Sequence, residues 1–105
     1  MTGGERRQHP RRPVVLECQV EGVSGLTDMR VTDLSVDGCY VDSRALVGVG
    51  SPTTLHLRLS GITLTLTGRI AHSQPGIGFG VRFDRLPSST AQMLEKILEP
   101  PTDGR

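Results

Sequence analysis

Apolar and polar residues alternate through most of residues 14–83, and this period of two limits the possible folds more than any other feature. The pattern is clearest in two arms, 55–59 and 62–66, which flank the dipeptide Ser60-Gly61. A two-residue turn between alternating arms is typical of a β-hairpin. The alternation therefore predicts half-buried antiparallel strands rather than helices over this part of the chain.

Further strands are expected over residues 14–21, 26–34, 39–41 and 77–83. The alternation in the second of these is imperfect, and a bulge near Asp28 would account for it. In the last, Gly76, Gly78 and Gly80 occupy alternate positions. Glycines at that spacing leave one face of a strand bare, which favours a tightly curved barrel or a close approach of another group to the backbone.

After Pro87 the apolar period becomes helical, and two prolines at 100 and 101 end the predicted helix. One apolar stripe on this helix consists of Met93, Leu94, Ile97 and Leu98. The stripe must be covered, either by docking on the strands as a lid or by pairing with a second copy of the chain. A length of 105 residues fits one such domain.

The formal net charge of +1 conceals an uneven distribution. Within residues 1–12, Glu5 is the only acidic residue, and the basic ones are Arg6, Arg7, Arg11 and Arg12. The other 93 residues hold eight of the 12 basic and ten of the 11 acidic groups. Because Pro10 and Pro13 disfavour a helix, we predict an extended basic arm over residues 1–12. A folded unit over 13–99 and a disordered tail over 100–105 are expected to follow it.

Several function classes are not expected. The chain lacks the patterns of a nucleophile turn, a carboxylate pair or a metal-ligand cluster, so we predict neither enzymatic activity nor a metal or cofactor. The apolar run at residues 14–16 is far shorter than the roughly 20 residues of a membrane span, which predicts a soluble cytoplasmic protein. Cys18 and Cys39 are too few for a disulfide framework and are expected to be reduced and buried.

Two features remain as candidates for binding. The arginine arm alone would be interpreted as a solvated tail, and the turn containing Asp33, Ser35 and Gly38 as ordinary turn chemistry. Together they suit a phosphate-bearing guanine ligand. Arginine forks can bind phosphates and the O6/N7 edge of guanine, and Asp33 can accept the hydrogens of guanine N1 and N2. Gly38 would let a ligand approach the backbone closely.

These residues resemble two motifs of the PilZ domain family. Arg7 and Arg11 match its RxxxR element, and Asp33, Ser35 and Gly38 match its [D/N]xSxxG element. The similarity extends over residues 5–99 and includes the closing strand GIGFGVRF and the apolar C-terminal helix. The resemblance implies an all-β fold, a six-stranded antiparallel β-barrel followed by one α-helix.

The resemblance also implies a bacterial receptor for the second messenger cyclic di-GMP. Carried over to this chain, Arg7 and Arg11 become the guanine and phosphate clamp, and Asp33 and Ser35 the opposing hydrogen-bonding groups. Gly38 becomes the close-approach residue. Arg6 is a further candidate, because an arginine just before RxxxR goes with binding of a stacked ligand pair in this family.

The leading hypothesis is a single-domain receptor whose ligand draws the arginine arm onto the barrel rim and so changes the surface offered to an unknown protein partner. A homodimer is possible. The alternative is a protein-interaction adaptor in motility, biofilm or surface-polymer assembly that does not bind nucleotide. General nucleic-acid binding through the arm is disfavoured by the acidic body and the scarcity of aromatic residues.

Overall fold

The computed structural model describes residues 12–22, 25–59 and 61–98, which form one closed barrel and one helix. In chain order the elements are β1 (Arg12–Glu21), β2 (Leu26–Leu34), β3 (Gly38–Asp42), β4 (Pro52–Leu59), β5 (Ile62–Gln74), β6 (Gly78–Phe83) and α1 (Ser88–Leu98). The strands follow the order β1-β2-β3-β6-β5-β4 around the barrel, and every neighbouring pair is antiparallel. The predicted six-stranded antiparallel barrel with a C-terminal helix is thereby confirmed.

The predicted arm and tail fall almost wholly outside the described residues. Residues 1–11 and 99–105 are not among them, so both remain predictions. Arg12, placed in the arm by the sequence, is instead the first residue of β1 and pairs with Leu34.

The barrel encloses an apolar core supplied by alternate residues of each strand. Cys18 and Val20 of β1 are buried, whereas Glu17 and Gln19, which precede them, are exposed. The largest side chain of the core is Phe79 of β6, which has no exposed surface. Because successive strand residues point to opposite faces, the predicted alternation places these apolar groups inside and removes them from water.

The strand register shifts at three points, each consistent with a β-bulge. The shifts lie between Pro13 and Leu16 in β1, between Val31 and Asp33 in β2, and between Ile70 and His72 in β5. The bulge expected near Asp28 is wrong, because that residue pairs in regular register with Gln19. An extra residue changes which face the following side chains occupy.

One face of helix α1 packs against the barrel core. Leu94 has no exposed surface, and Leu98 packs against the core cluster, so the lid interpretation of the stripe is confirmed. Met93 and Ile97 keep 36% and 38% of their surface exposed, and pairing of helices between two copies stays a prediction. Among the described residues, no helix is long and apolar enough to cross a membrane.

Candidate ligand-binding site

The turn between β2 and β3 is held by the side chain of Ser35. This residue is 2% exposed, and its Oγ accepts the backbone N–H groups of Asp37 at 3.1 Å and Gly38 at 3.3 Å. The Ser35 N–H donates to the Gly38 carbonyl at 2.9 Å. The turn chemistry weighed from the sequence is therefore present, and Ser35 fixes the shape of the turn from beneath its surface.

Gly38 is required by the packing of the barrel itself. It pairs with Arg82 of β6, and a Cβ at this position would lie 2.2 Å from the carbonyl oxygen of Val81. Contacts that short do not occur between a side chain and a fixed backbone. The lack of a side chain allows β3 and β6 to approach each other closely. Strand packing is therefore a second reason for a glycine at this position, besides the predicted approach of a ligand.

The β2 bulge turns Asp33 toward the outer face of the barrel. Val31 points into the core with no exposed surface, so strict alternation would turn a residue two positions later inward as well. With the extra residue, Asp33 pairs directly with Tyr40 of β3, whereas Leu34 fills the core position. Asp33 is partly buried, with its Oδ1 atom out of contact with solvent.

Asp33 belongs to a row of directly paired residues that crosses five strands. The row, called the Asp33 row below, runs Pro13, Asp33, Tyr40, Gly80, His72. The β5 bulge brings His72 into it, since Ile70 is buried and alternation alone would turn His72 inward. Three strand spacings of about 4.8 Å separate Asp33 from His72, which makes the span about 14 Å.

Two rings cover the glycines of β6 on this outer face. The Tyr40 and His72 ring centroids are 5.9 Å apart, and the ring planes are tilted by 31°. A Cβ on Gly80 would lie 2.4 Å from the His72 ring, and one on Gly78 would lie 2.6 Å from the Tyr40 ring. The alternate glycines thus allow the close approach that their spacing predicts, and the groups that approach them are the Tyr40 and His72 rings.

A second row lies beside the first, two residues along β3 and β6. It consists of Gly38, Arg82 and Arg69, which pair directly across β3, β6 and β5, and is called the arginine row below. Both arginines are exposed, and Arg69 Nη1 donates to the Gly50 carbonyl oxygen at 3.0 Å. The backbone positions of both arginines therefore lie beside the ring pair, on the side nearest the turn.

The structure brings together three of the six predicted site residues. Asp33, Ser35 and Gly38 lie in one turn and its flanking strands, whereas Arg6, Arg7 and Arg11 lie outside the described residues. Sequence reasoning missed four further residues of this face: Tyr40, His72, Arg69 and Arg82. The alternate glycines were a usable signal for the ring pair, but nothing in the local sequence signals the pairing of the two arginines.

Other reactive groups in the described residues do not form a second chemical site. Cys18 and Cys39 are buried thiols, as predicted, and burial raises the pKa of Cys18 to about 11, with the charge of Asp28 adding to the effect. A thiol that holds its proton at neutral pH is a poor nucleophile. No group of three or more His, Cys, Asp or Glu side chains in the described part of the chain is placed to hold a metal ion.

An open groove lies elsewhere on the barrel, over the outer faces of β1, β2 and β4. Its lining includes Glu17, Arg30, Asp42 and Arg58. Arg30 pairs directly with both Glu17 and Asp42, so charges of opposite sign lie side by side across the sheet. The opposite charges of this surface offset one another, in contrast to the like charges of the arginine row, and it is called the compensated groove below.

The PilZ domain family model matches residues 5–99, and the chain therefore belongs to the PilZ domain family. Comparison with curated proteins gives no match. Among solved structures, the PilZ domain of CeSA from a cellulose-synthesizing bacterium is similar, with a TM-score of 0.67 and 20% sequence identity. The similarity covers 85% of this chain and 94% of that domain.

Two longer proteins contain a similar fold. The Bacillus subtilis inhibitor of motility MotI/DgrA has a TM-score of 0.72 at 16% identity, covering 89% of this chain and 49% of that one. The Borreliella burgdorferi PlzA protein, solved in complex with c-di-GMP, has a TM-score of 0.65 at 17% identity, covering 92% and 43%. The chain thus spans less than half the length of either protein, and the TM-scores show a shared fold.

Proposed function

We propose that this chain is a receptor for cyclic di-GMP. The observation that carries the proposal is the outward placement of Asp33 beside Tyr40, at the end of the barrel where β1 begins. Membership of the PilZ family and the PlzA structure with c-di-GMP support the choice of ligand.

The arginine arm is within reach of this face. Arg12 pairs with Leu34, the residue after Asp33, and Arg11 directly precedes Arg12 in the chain. A chain spans at most about 3.4 Å per residue, which allows Arg7 to lie up to roughly 17 Å from Arg12. That reach matches the span of the Asp33 row, and Arg6, Arg7 and Arg11 can therefore close over a ligand on it.

Each motif residue has a role set by its surroundings. The Asp33 carboxylate accepts the N1 and N2 hydrogens of guanine, and Arg7 and Arg11 bind the phosphates and the O6/N7 edge. Ser35 contributes by holding the turn, because its hydroxyl already binds the N–H groups of Asp37 and Gly38. The Tyr40 and His72 rings offer a surface on which a purine can stack.

Ligand binding would change the outer surface of the domain. An arm drawn onto the barrel replaces an exposed sheet face with a surface of arm and nucleotide, and a protein partner that prefers one surface shifts the equilibrium. The proposed output is an interaction in motility, biofilm or surface-polymer assembly in the cytoplasm. The proposal assigns no catalysis to the chain.

Calorimetric titration with cyclic di-GMP tests the proposal. We expect heat of binding at micromolar protein, and about tenfold weaker affinity for Arg7→Ala, since a hydrogen bond to a charged group contributes roughly 1.5–3 kcal/mol. Arg58→Ala is the matched control, because Arg58 is an exposed arginine that lines the compensated groove instead. Its affinity should equal that of the parent.

Three outcomes would contradict the proposal. Absence of binding heat at low salt would remove it outright. A protein partner captured equally well with and without the nucleotide, in a chain that binds none, would support the adaptor alternative. Binding of nucleic acid that falls steeply with salt and ignores Asp33→Ala would assign the arm to polyanions in general.

A further inference from the structure

We propose that the ligand surface continues from the turn onto β6 and β5, where Arg82 and Arg69 together bind a phosphate of the nucleotide. This inference rests on the proposed function, which supplies the ligand. Neither arginine belongs to the two motifs, and both lie on the same outer face as Asp33.

The two arginines repel each other across the sheet. Arg69 and Arg82 are directly opposed in the β5–β6 pairing, and like charges in that position destabilise a sheet. Among the described residues, neither guanidinium forms an ion pair with a carboxylate, although Asp84 follows β6 closely in the chain. A bound anion between them would turn the repulsion into two attractive contacts.

The spacing of the two arginines suits one shared phosphate. Directly opposed side chains start about 5 Å apart, which is a suitable separation for two guanidinium groups that approach one phosphate from either side. One N–H group of Arg69 donates to the Gly50 carbonyl, which lies on the edge of β5 opposite to β6, and the other N–H donors of Arg69 remain for a phosphate. On the other side of Arg82 lies Gly38, so no side chain stands between Arg82 and the turn.

Aromatic rings lie close to the two arginines in the sheet. The next row along the sheet holds the Tyr40 and His72 rings, whose outer faces suit a purine. A phosphate and a purine are linked through a ribose in any nucleotide. Guanidinium groups beside a ring pair thus match the two chemical parts of one ligand, and an isolated anion would need only the arginines.

The experiment is a cyclic di-GMP titration of the parent, Arg82→Gln, Arg69→Gln and Asp33→Ala, at two salt concentrations. We expect Arg82→Gln to bind about tenfold more weakly and with a shallower salt dependence, because a charge that faces the phosphate is gone. Arg58→Gln, in the compensated groove, should behave as the parent. Arg82→Gln is the cleaner of the two test variants, since Arg69 also bonds to Gly50.

Thermal unfolding without ligand separates a binding role from a structural one. Removing one of two opposed like charges should leave the Tm of Arg82→Gln equal to that of the parent or higher. A lower Tm together with weaker binding would assign Arg82 to the fold and overturn the inference. Parent-like affinity in Arg82→Gln, with binding lost in Asp33→Ala, would overturn it and leave the proposed receptor intact. A parent that binds no nucleotide would overturn both.

Discussion

Asp33→Ala is expected to weaken cyclic di-GMP binding about a hundredfold or more. The variant would lack two charge-assisted hydrogen bonds from the guanine N1 and N2 hydrogens to the carboxylate, each contributing roughly 1.5–3 kcal/mol. The arginines of the arm would also lose a carboxylate facing them across the ligand. Calorimetric titration of the variant beside the parent measures the change directly.

Two further variants make the result specific. Asp33→Asn keeps the shape and one acceptor oxygen without the charge, and its affinity should fall between those of the parent and Asp33→Ala. Asp28→Ala removes an exposed aspartate from the same strand, one that instead accepts a hydrogen bond from Gln19 at 3.1 Å. Equal weakening by Asp28→Ala would show a general effect of charge and would count against a contact at Asp33.

Gly38→Ala is expected to destabilise the folded domain by about 3 kcal/mol or more, the upper range for overpacking. The added methyl group would meet the Val81 carbonyl oxygen at 2.2 Å, and the nearest other atoms belong to the backbone of β6 as well. This clash can be relieved only if β3 and β6, which are paired strands, move apart. Urea unfolding followed by circular dichroism gives the loss as a shift in midpoint.

Gly48→Ala provides the comparison for this variant. Its new Cβ would meet only the Ser51 hydroxyl, at 3.1 Å, and that side chain can rotate away. We expect its midpoint to stay close to that of the parent. A Gly38→Ala protein with parental stability and no ligand binding would contradict the packing argument and would leave ligand approach as the reason for this glycine.

Most of the fold could be predicted from the sequence because it follows from burial. Alternating apolar residues such as Cys18 and Val20 are buried as expected, and Leu94 fixes the side on which α1 docks. Each of these assignments depends on a residue and its neighbours within two to four positions. Local periodicity is sufficient for that, since side-chain direction repeats every two residues in a strand and every 3.6 in a helix.

The motif half of the site could be predicted for a related reason. Asp33, Ser35 and Gly38 lie within one turn, so their proximity is built into the chain and the resemblance of the motif carries the rest. Only the structure showed the packing roles of two of these residues. Ser35 holds the turn and Gly38 admits β6, whereas the sequence suggested mainly ligand contacts.

The sequence by itself determined the six strands, the terminal helix and the polar turn. Only the tertiary structure decided which side chains share an outer face with Asp33. A bulge inserts one unpaired residue and reverses the phase of everything beyond it, and no local signal distinguished the true bulges in β2 and β5 from the one expected near Asp28. Those two bulges bring Asp33 and His72 into one row, and the pairing of β6 with β5 sets Arg82 against Arg69. Contacts between residues distant in the chain depend on register, which is settled when the whole barrel closes.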